Sequence, residues 1–120
     1  MSKVIHFEIP VDDARRAAAF YQDVLGWVIA GSDEQPYWLV QAGADDEPGA
    51  NGALTPRDPV HRSPVLIVSV ANIDRALVLA GEHGGRVVQE KLPVPGIGWS
   101  AYVEDPEGNT VGLFQTGGGM

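Results

Sequence analysis

Residues 4–28 read VIHFEIPVDDARRAAAFYQDVLGWV, and residues 63–87 read SPVLIVSVANIDRALVLAGEHGGRV. A shift of 59 residues lays the second stretch on the first without a gap. Val11 falls on Val70, Arg16 on Arg75, Ala17 on Ala76, Gly26 on Gly85 and Val28 on Val87. Asp13 falls on Asn72, and both are residue types whose short side chains accept from the free amides of a first helical turn. The agreement in element type weighs more than the identities. Each stretch opens as a strand, passes a helix cap into a helix, stops at glycine and enters another strand. Repetition on this scale points to a duplicated module.

The β-forming runs Val4–Val11 and Val65–Val70 open the two modules. In the first helix Ala17, Phe20, Tyr21, Val24 and Leu25 recur with the period of one helical face, which predicts that Phe20 and Tyr21 are core residues. Ile73, Ala76, Leu77 and Ala80 do the same in the second. Gly26 and Gly84–Gly85 stop the helices. Further strands are expected at Trp27–Ala30, Tyr37–Gln41 and Gly52–Thr55, and at Arg86–Glu90, Trp99–Val103 and Thr110–Gln115. Asp105-Pro106-Glu107-Gly108-Asn109 is a turn joining the last two as a hairpin. Ala42–Asn51 is an acidic, turn-rich loop, and Pro56–Pro64 carries three prolines between the halves. The expected architecture is α+β: two tandem βαβββ modules forming a concave mixed sheet with helices on its outer face. One domain spans 1–120, with module one at about 3–55, a linker at about 56–63 and module two at about 64–115. The tail 116–120 is glycine-rich and expected to fray.

A chain of 120 residues fits one domain, and 44% hydrophobic with 20% charged residues is ordinary globular usage. The absence of cysteine excludes disulfides, thiolate-held metals and thiol catalysis. A net charge of −8 disfavours nucleic acid and anionic membrane surfaces as partners. No apolar run has the length of a membrane span, and the start leads directly into a strand, so a cytoplasmic setting is expected. Only His6, His61 and His83 can supply imidazole. The common phosphate-loop, dinucleotide, zincin and nucleophile-elbow motifs are absent.

Strand alternation separates the faces. Ile5, Phe7, Ile9 and Val11 form the face expected under the first helix, while His6 and Glu8 point to the other. The repeat puts Leu66, Val68 and Val70 under the second helix, and Val65, Ile67 and Ser69 on the face of His6. A concave surface lined by these residues is the default place for a ligand.

The duplicated pattern, with HFEIPVDD, FYQDVLGW and the closing AYVEDPEGNTVGLFQ, resembles the vicinal oxygen chelate superfamily. That superfamily includes glyoxalase I, bleomycin-resistance proteins, fosfomycin-resistance enzymes and extradiol dioxygenases. The resemblance spans about residues 4–115. It implies one divalent metal held by the first, fourth, fifth and eighth strands in the metal-dependent members. Those positions fall on His6, Ala53, Val65 and Gly112. Only His6 has a donor, so no metal site and no cofactor are expected. The alternative is a divalent ion (Zn, Ni, Mn or Fe) held by His6 with displaced ligands. His61, in the linker, and His83, at a helix end, are read as badly placed for one.

Two function classes follow. One is a metal-free protein binding a small, partly apolar or aromatic molecule through His6, Glu8, Val65, Ile67, Trp99, Thr110 and Phe114. The other is a lyase, dioxygenase or isomerase-type enzyme, with His6 and Glu8 as its catalytic candidates: His6 as base, oriented by Glu8. An accessory interaction domain without a ligand is a third. Trp99 reads equally as core or as a flat ligand wall. Tyr37 and Trp38 read first as core, and Arg57 as a solvated side chain. The resemblance also implies a homodimer.

Overall fold

The computed structural model describes residues 2–117. The chain divides into two compact units. One is His6–Pro64, and the other runs from Val65 onward together with the residues up to Ile5. Among the described residues no helix is long and apolar enough to cross a membrane.

The first unit contains β1 (Val4–Val11, apart from its first two residues), α1 (Ala14–Leu25), β2 (Val28–Ser32), β3 (Gln35–Gln41) and β4 (Asn51–Pro56). Its strands are ordered β2-β3-β4-β1, with β1 parallel to β4 and the other pairs antiparallel. The second holds β5 (Val65–Ser69), α2 (Ile73–Glu82), β6 (Arg86–Val94), β7 (Gly98–Glu104) and β8 (Thr110–Thr116), ordered β5-β8-β7-β6. Here β5 is parallel to β8, and the other pairs are antiparallel. The α+β reading and the repeated βαβββ order are therefore present in full. Residues 118–120 of the expected frayed tail lie outside the described residues.

Local chemistry explains the correspondence of the modules. Asp13 accepts from the Arg16 amide at 3.1 Å, and Asn72 from the Arg75 amide at 3.0 Å, which are equivalent caps in the repeat. Asp13→Ala or Asn72→Ala is expected to cost about 1 kcal/mol each in urea unfolding, because each leaves a helix amide without its acceptor. Gly26 closes α1 with φ of 72°, a conformation that disfavours any residue with a Cβ. The last hairpin is drawn closed by Asp105, which accepts from the Glu107 and Asn109 amides, each at 2.9 Å.

Each helix covers one sheet face of its own module. In the first unit Ala18, Trp38, Val40 and Leu54 are buried, with Phe7, Ile9, Val11, Ala14, Ala17, Tyr21 and Trp27 packed around them. Full burial of a leucine such as Leu54 contributes about 2 kcal/mol. The Trp38 indole N–H donates to the Ser32 carbonyl at 3.0 Å, so its burial leaves no orphan donor. In the second unit Ile73, Ala101, Val103 and Leu113 form the core, with Val70, Ala76, Leu77, Ala80, Val87, Trp99 and Val111 against it.

Two packing expectations are corrected. Phe20 is 57% exposed: α1 turns Ala14, Ala17, Ala18 and Tyr21 inward, and Phe20 lies edge-on to Tyr21, ring centroids 5.3 Å apart. Leu66 is 54% exposed, although the repeat aligns it with Phe7 under a helix. Phe7 is covered because Trp27 packs on it at 5.4 Å and Tyr21 stacks on Trp27 at 4.9 Å. The repeat-equivalents of Tyr21 and Trp27 are Ala80 and Arg86, which lack the rings that would cover Leu66.

Candidate functional site

The face of the first module opposite α1 holds the polar side chains. Glu8 on β1 pairs laterally with Ala53 on β4, and Ala53 pairs with Leu39 on β3. Alternation adds His6, two residues before Glu8, and Tyr37, two before Leu39. Their neighbours Phe7, Trp38 and Leu54 point to the helix. Tyr37, read from sequence first as core, is 41% exposed here.

His6 Nε2 lies 2.9 Å from the Tyr37 hydroxyl, with the two ring planes within 6° of parallel. Burial pushes the His6 imidazole below its ordinary 6.5, against the opposing pull of the Glu8 charge. His6 is therefore neutral at pH 7. Burial also drives the Tyr37 hydroxyl well above its usual range, and the Glu8 carboxylate adds to this by its charge and by a hydrogen bond.

Glu8 is only 4% exposed. Its Oε1 sits 2.6 Å from His61 Nε2, and His61 Nδ1 sits 3.2 Å from Asp58 Oδ1. This corrects the expectation that His61 is out of reach in the linker. The segment after β4 folds back because Asp58 accepts from the Val60 amide at 2.9 Å and the His61 amide at 2.7 Å. Arg57 helps to hold it: it pairs with Asp12 at 3.1 Å and donates to the Arg62 and Pro10 carbonyls at 3.1 and 3.5 Å. It is not merely solvated. Both nitrogens of His61 face carboxylate oxygens, and only the imidazolium has an N–H at each. The bond to Glu8 raises its pKa most, burial opposes, and the Glu8 charge and Asp58 raise it further. Asp58 itself is held below its usual range: burial works against its charge, and hydrogen bonds from the His61 and Val60 amides and the His61 ring outweigh it.

The result is two neighbouring sets of contacts, Asp58–His61–Glu8 and Tyr37–His6, with the Glu8 charge acting on Tyr37 and His6. Glu8 and His6 were legible from alternation. Tyr37 follows from the same rule once Trp38 is placed in the core. His61 and Asp58 carry no periodic signal, because they act through a chain reversal.

The second module presents its own face away from α2. Ile67, Gly112 and Tyr102 are lateral neighbours across β5, β8 and β7. Alternation adds Val65 on β5, and Thr110 and Phe114 on β8. Val65 and Ile67 are 1% and 7% exposed. Trp99 is on the opposite face: it packs with the α2 core, and the Lys91 ammonium lies 4.6 Å from its ring centroid. It is therefore separated from the other expected ligand residues, because odd-numbered positions of β7 face the helix.

The four positions that the resemblance assigns to a metal do not fit one. His6 offers a nitrogen, while Ala53, Val65 and Gly112 offer none. Moving the β4 assignment by two residues reaches Asn51, whose Oδ1 accepts from the Ala42 amide at 2.8 Å, or Thr55, a weak neutral ligand. At Gly112 a Cβ would lie 2.3 Å from Ile67 Cδ1 and 3.1 Å from Tyr102 Cε2, so any side chain there requires Ile67 to shift. Among the described residues no group of three or more His, Asp or Glu is placed to hold a metal ion.

Duplicated βαβββ modules, each with one helix on one sheet face, define a paired-module α+β protein. Residues 3–43 match the bleomycin resistance protein-like N-terminal family. The lactoylglutathione lyase of Haemophilus influenzae is 32% identical over 124 residues, covering 94% of this chain and 92% of that protein. That of Salmonella typhimurium is 28% identical with the same coverage. A glyoxalase/bleomycin resistance protein/dioxygenase superfamily member from Vibrio splendidus superposes with a TM-score of 0.68 at 16% identity, over 97% of this chain and 99% of that one. Methylmalonyl-CoA epimerase from Mycobacterium tuberculosis gives 0.61 at 21%, over 94% and 87%. These two structures share the fold. The chain belongs to the vicinal oxygen chelate superfamily, among its glyoxalase- and bleomycin-resistance-like proteins.

Proposed function

We propose that this protein is a metal-independent member of its superfamily that binds a small, partly aromatic molecule on the His6 face of the first module. One observation carries the reading: the His6–Tyr37 pair, with near-parallel rings, stands beside the 59% exposed Leu39 on a face where Ala53, the other position in this module that the resemblance assigns to a metal ligand, has no donor atom. The partly exposed Tyr37 side chain and Leu39 give apolar contact, while His6 gives one polar anchor. Glu8 is already engaged by the His61 imidazolium, which supplies locally the positive charge that a metal ion brings elsewhere in the superfamily.

A divalent-metal lyase or dioxygenase-type enzyme is the competing reading. The likeness to lactoylglutathione lyase favours it, and the side chains at 53, 65 and 112 oppose it. Metal content separates the two. Protein purified without a histidine tag is expected to hold far less than one equivalent of Zn, Ni, Mn or Fe by mass spectrometry. A stoichiometric ion lost in His6→Ala refutes the proposal. In thermal-shift measurements a panel of small aromatic compounds is expected to contain stabilising members, since a ligand of the native state raises the apparent Tm. Their effect is expected to disappear in Tyr37→Ala.

A further inference from the structure

We propose that the helix side of the first module carries a second ligand site, between α1, the end of β1 and Arg57, and that this site takes a small aromatic carboxylate. It is separate from the His6 face and goes beyond the function proposed above.

A cavity of about 290 Å³ opens there, bordered on α1 by Arg16, Ala17, Phe20 and Tyr21. About 150 Å³ is enough to hold benzene, so this cavity takes one ring with a short side chain. Arg16 and Phe20 are four residues apart on one helical face, which sets a cation beside an exposed ring. The other wall is held in place. Arg57 donates to the Asp12 carboxylate and to the Arg62 carbonyl, each at 3.1 Å. A wall fixed before the ligand arrives lowers the cost of binding.

Charge selects the ligand. Four charged side chains border the cavity: Asp12, Asp13, Arg16 and Arg57. Asp12 and Arg57 pair with each other, and Asp13 accepts from the Arg16 backbone amide at 3.1 Å. The Arg16 guanidinium has no hydrogen bond, ion pair or ring contact among the described residues. Its planar fork of N–H donors matches a carboxylate, and Phe20 supplies the contact for a ring. The second module shows that the fold alone does not make this site. The repeat keeps Arg75 for Arg16 but puts Ala71, Leu79, Ala80 and Thr116 where Asp12, Phe20, Tyr21 and Arg57 stand.

The test uses 3-phenylpropionate, its amide and 3-phenylpropylamine, which share a ring and chain and differ in charge. Each is titrated into the intact protein and followed by backbone ¹H–¹⁵N shifts. The acid is expected to bind about tenfold more tightly than the amide, and the amine more weakly than either. The shifts are expected at residues 12–21 and 57. Arg16→Gln changes an exposed side chain and is expected to bring acid and amide to equal affinity. Phe20→Ala is expected to weaken both about fivefold. Tyr37→Ala is expected to change none of the three, so the outcome at the His6 face does not decide this site. Equal binding of acid and amine overturns the proposal, as does an acid preference that survives in Arg16→Gln. Shifts confined to the His6 face, or no saturable binding of the acid, overturn it as well.

Discussion

His61→Ala is expected to lower the free energy of unfolding by about 3 kcal/mol at pH 5–6, read from urea denaturation. The Glu8 and His61 side chains are 5% and 11% exposed and 2.6 Å apart. Removing one member of a buried pair leaves the other charge desolvated beside a cavity, and such losses run to about 3–5 kcal/mol. The pH dependence has a definite sign. His61 is raised above 6.5 in the folded state, so its contribution is complete below 6.5 and fades as pH rises through the folded value. Asp58 is held below 3.8, so its contribution is present above 3.8 and fades as pH falls through its folded value. The difference between wild type and variant is therefore expected to be largest from about pH 4 to 6.5 and to shrink by pH 9. His61→Gln, which keeps a neutral donor, is expected to fall between wild type and His61→Ala and to lose most of the pH dependence. A difference that stays constant from pH 5 to 9 refutes the imidazolium.

Gly112→Glu is expected to be at least as damaging, by about 3 kcal/mol or more, and not to create a metal site. Gly112 occupies the eighth-strand position that carries a carboxylate ligand in metal-dependent relatives, as the resemblance implies. Its Cβ alone would meet Ile67 Cδ1 at 2.3 Å and Tyr102 Cε2 at 3.1 Å. Ile67 is 7% exposed, so its methyl can rotate away only into packed surroundings. The carboxylate adds the cost of burying a charge with no cation supplied for it. Gly112→Ala separates these effects: it carries only the steric part, expected at about 1–2 kcal/mol. The measurements are urea unfolding of both variants and isothermal titration of Gly112→Glu with Zn²⁺, Ni²⁺ and Mn²⁺. A variant as stable as wild type that binds a single divalent ion tightly refutes the claim that the site is sterically closed.

How much was legible beforehand depended on the range of the interaction. The caps at Asp13 and Asn72, the glycine stop at Gly26 and the Asp105 turn all formed as read, because each is decided by groups within a few residues. The faces of β1 followed from alternation, and so did the lateral meeting of Glu8 with Ala53. The longer-range readings fared worse. Phe20 fits the helical period but lies at the margin of the stripe, where the small residues Ala14, Ala17 and Ala18 make the closest approach to the sheet. Leu66 kept its strand position yet lost its cover, because the rings that shield Phe7 come from Tyr21 and Trp27, which the second module lacks. Trp99 was readable either way until β7 was in register with β8, which placed it with Ala101 and Val103.

The sequence by itself determined the duplicated βαβββ order, the polar face of β1 and the absence of metal-binding side chains at 53, 65 and 112, the positions that the resemblance implies for a metal. These are properties of local pattern and residue type, which no packing can alter. Only the tertiary structure decided what His6 and Glu8 touch. Their partners arrive from β3 and from a folded-back linker, at sequence separations of 31 and 53 residues. Whether an imidazole is neutral or charged depends on the two or three groups within bonding distance and on the water they displace. No periodicity encodes that proximity, so burial pushes one imidazole toward its neutral form while two carboxylates pull the other toward its charged form.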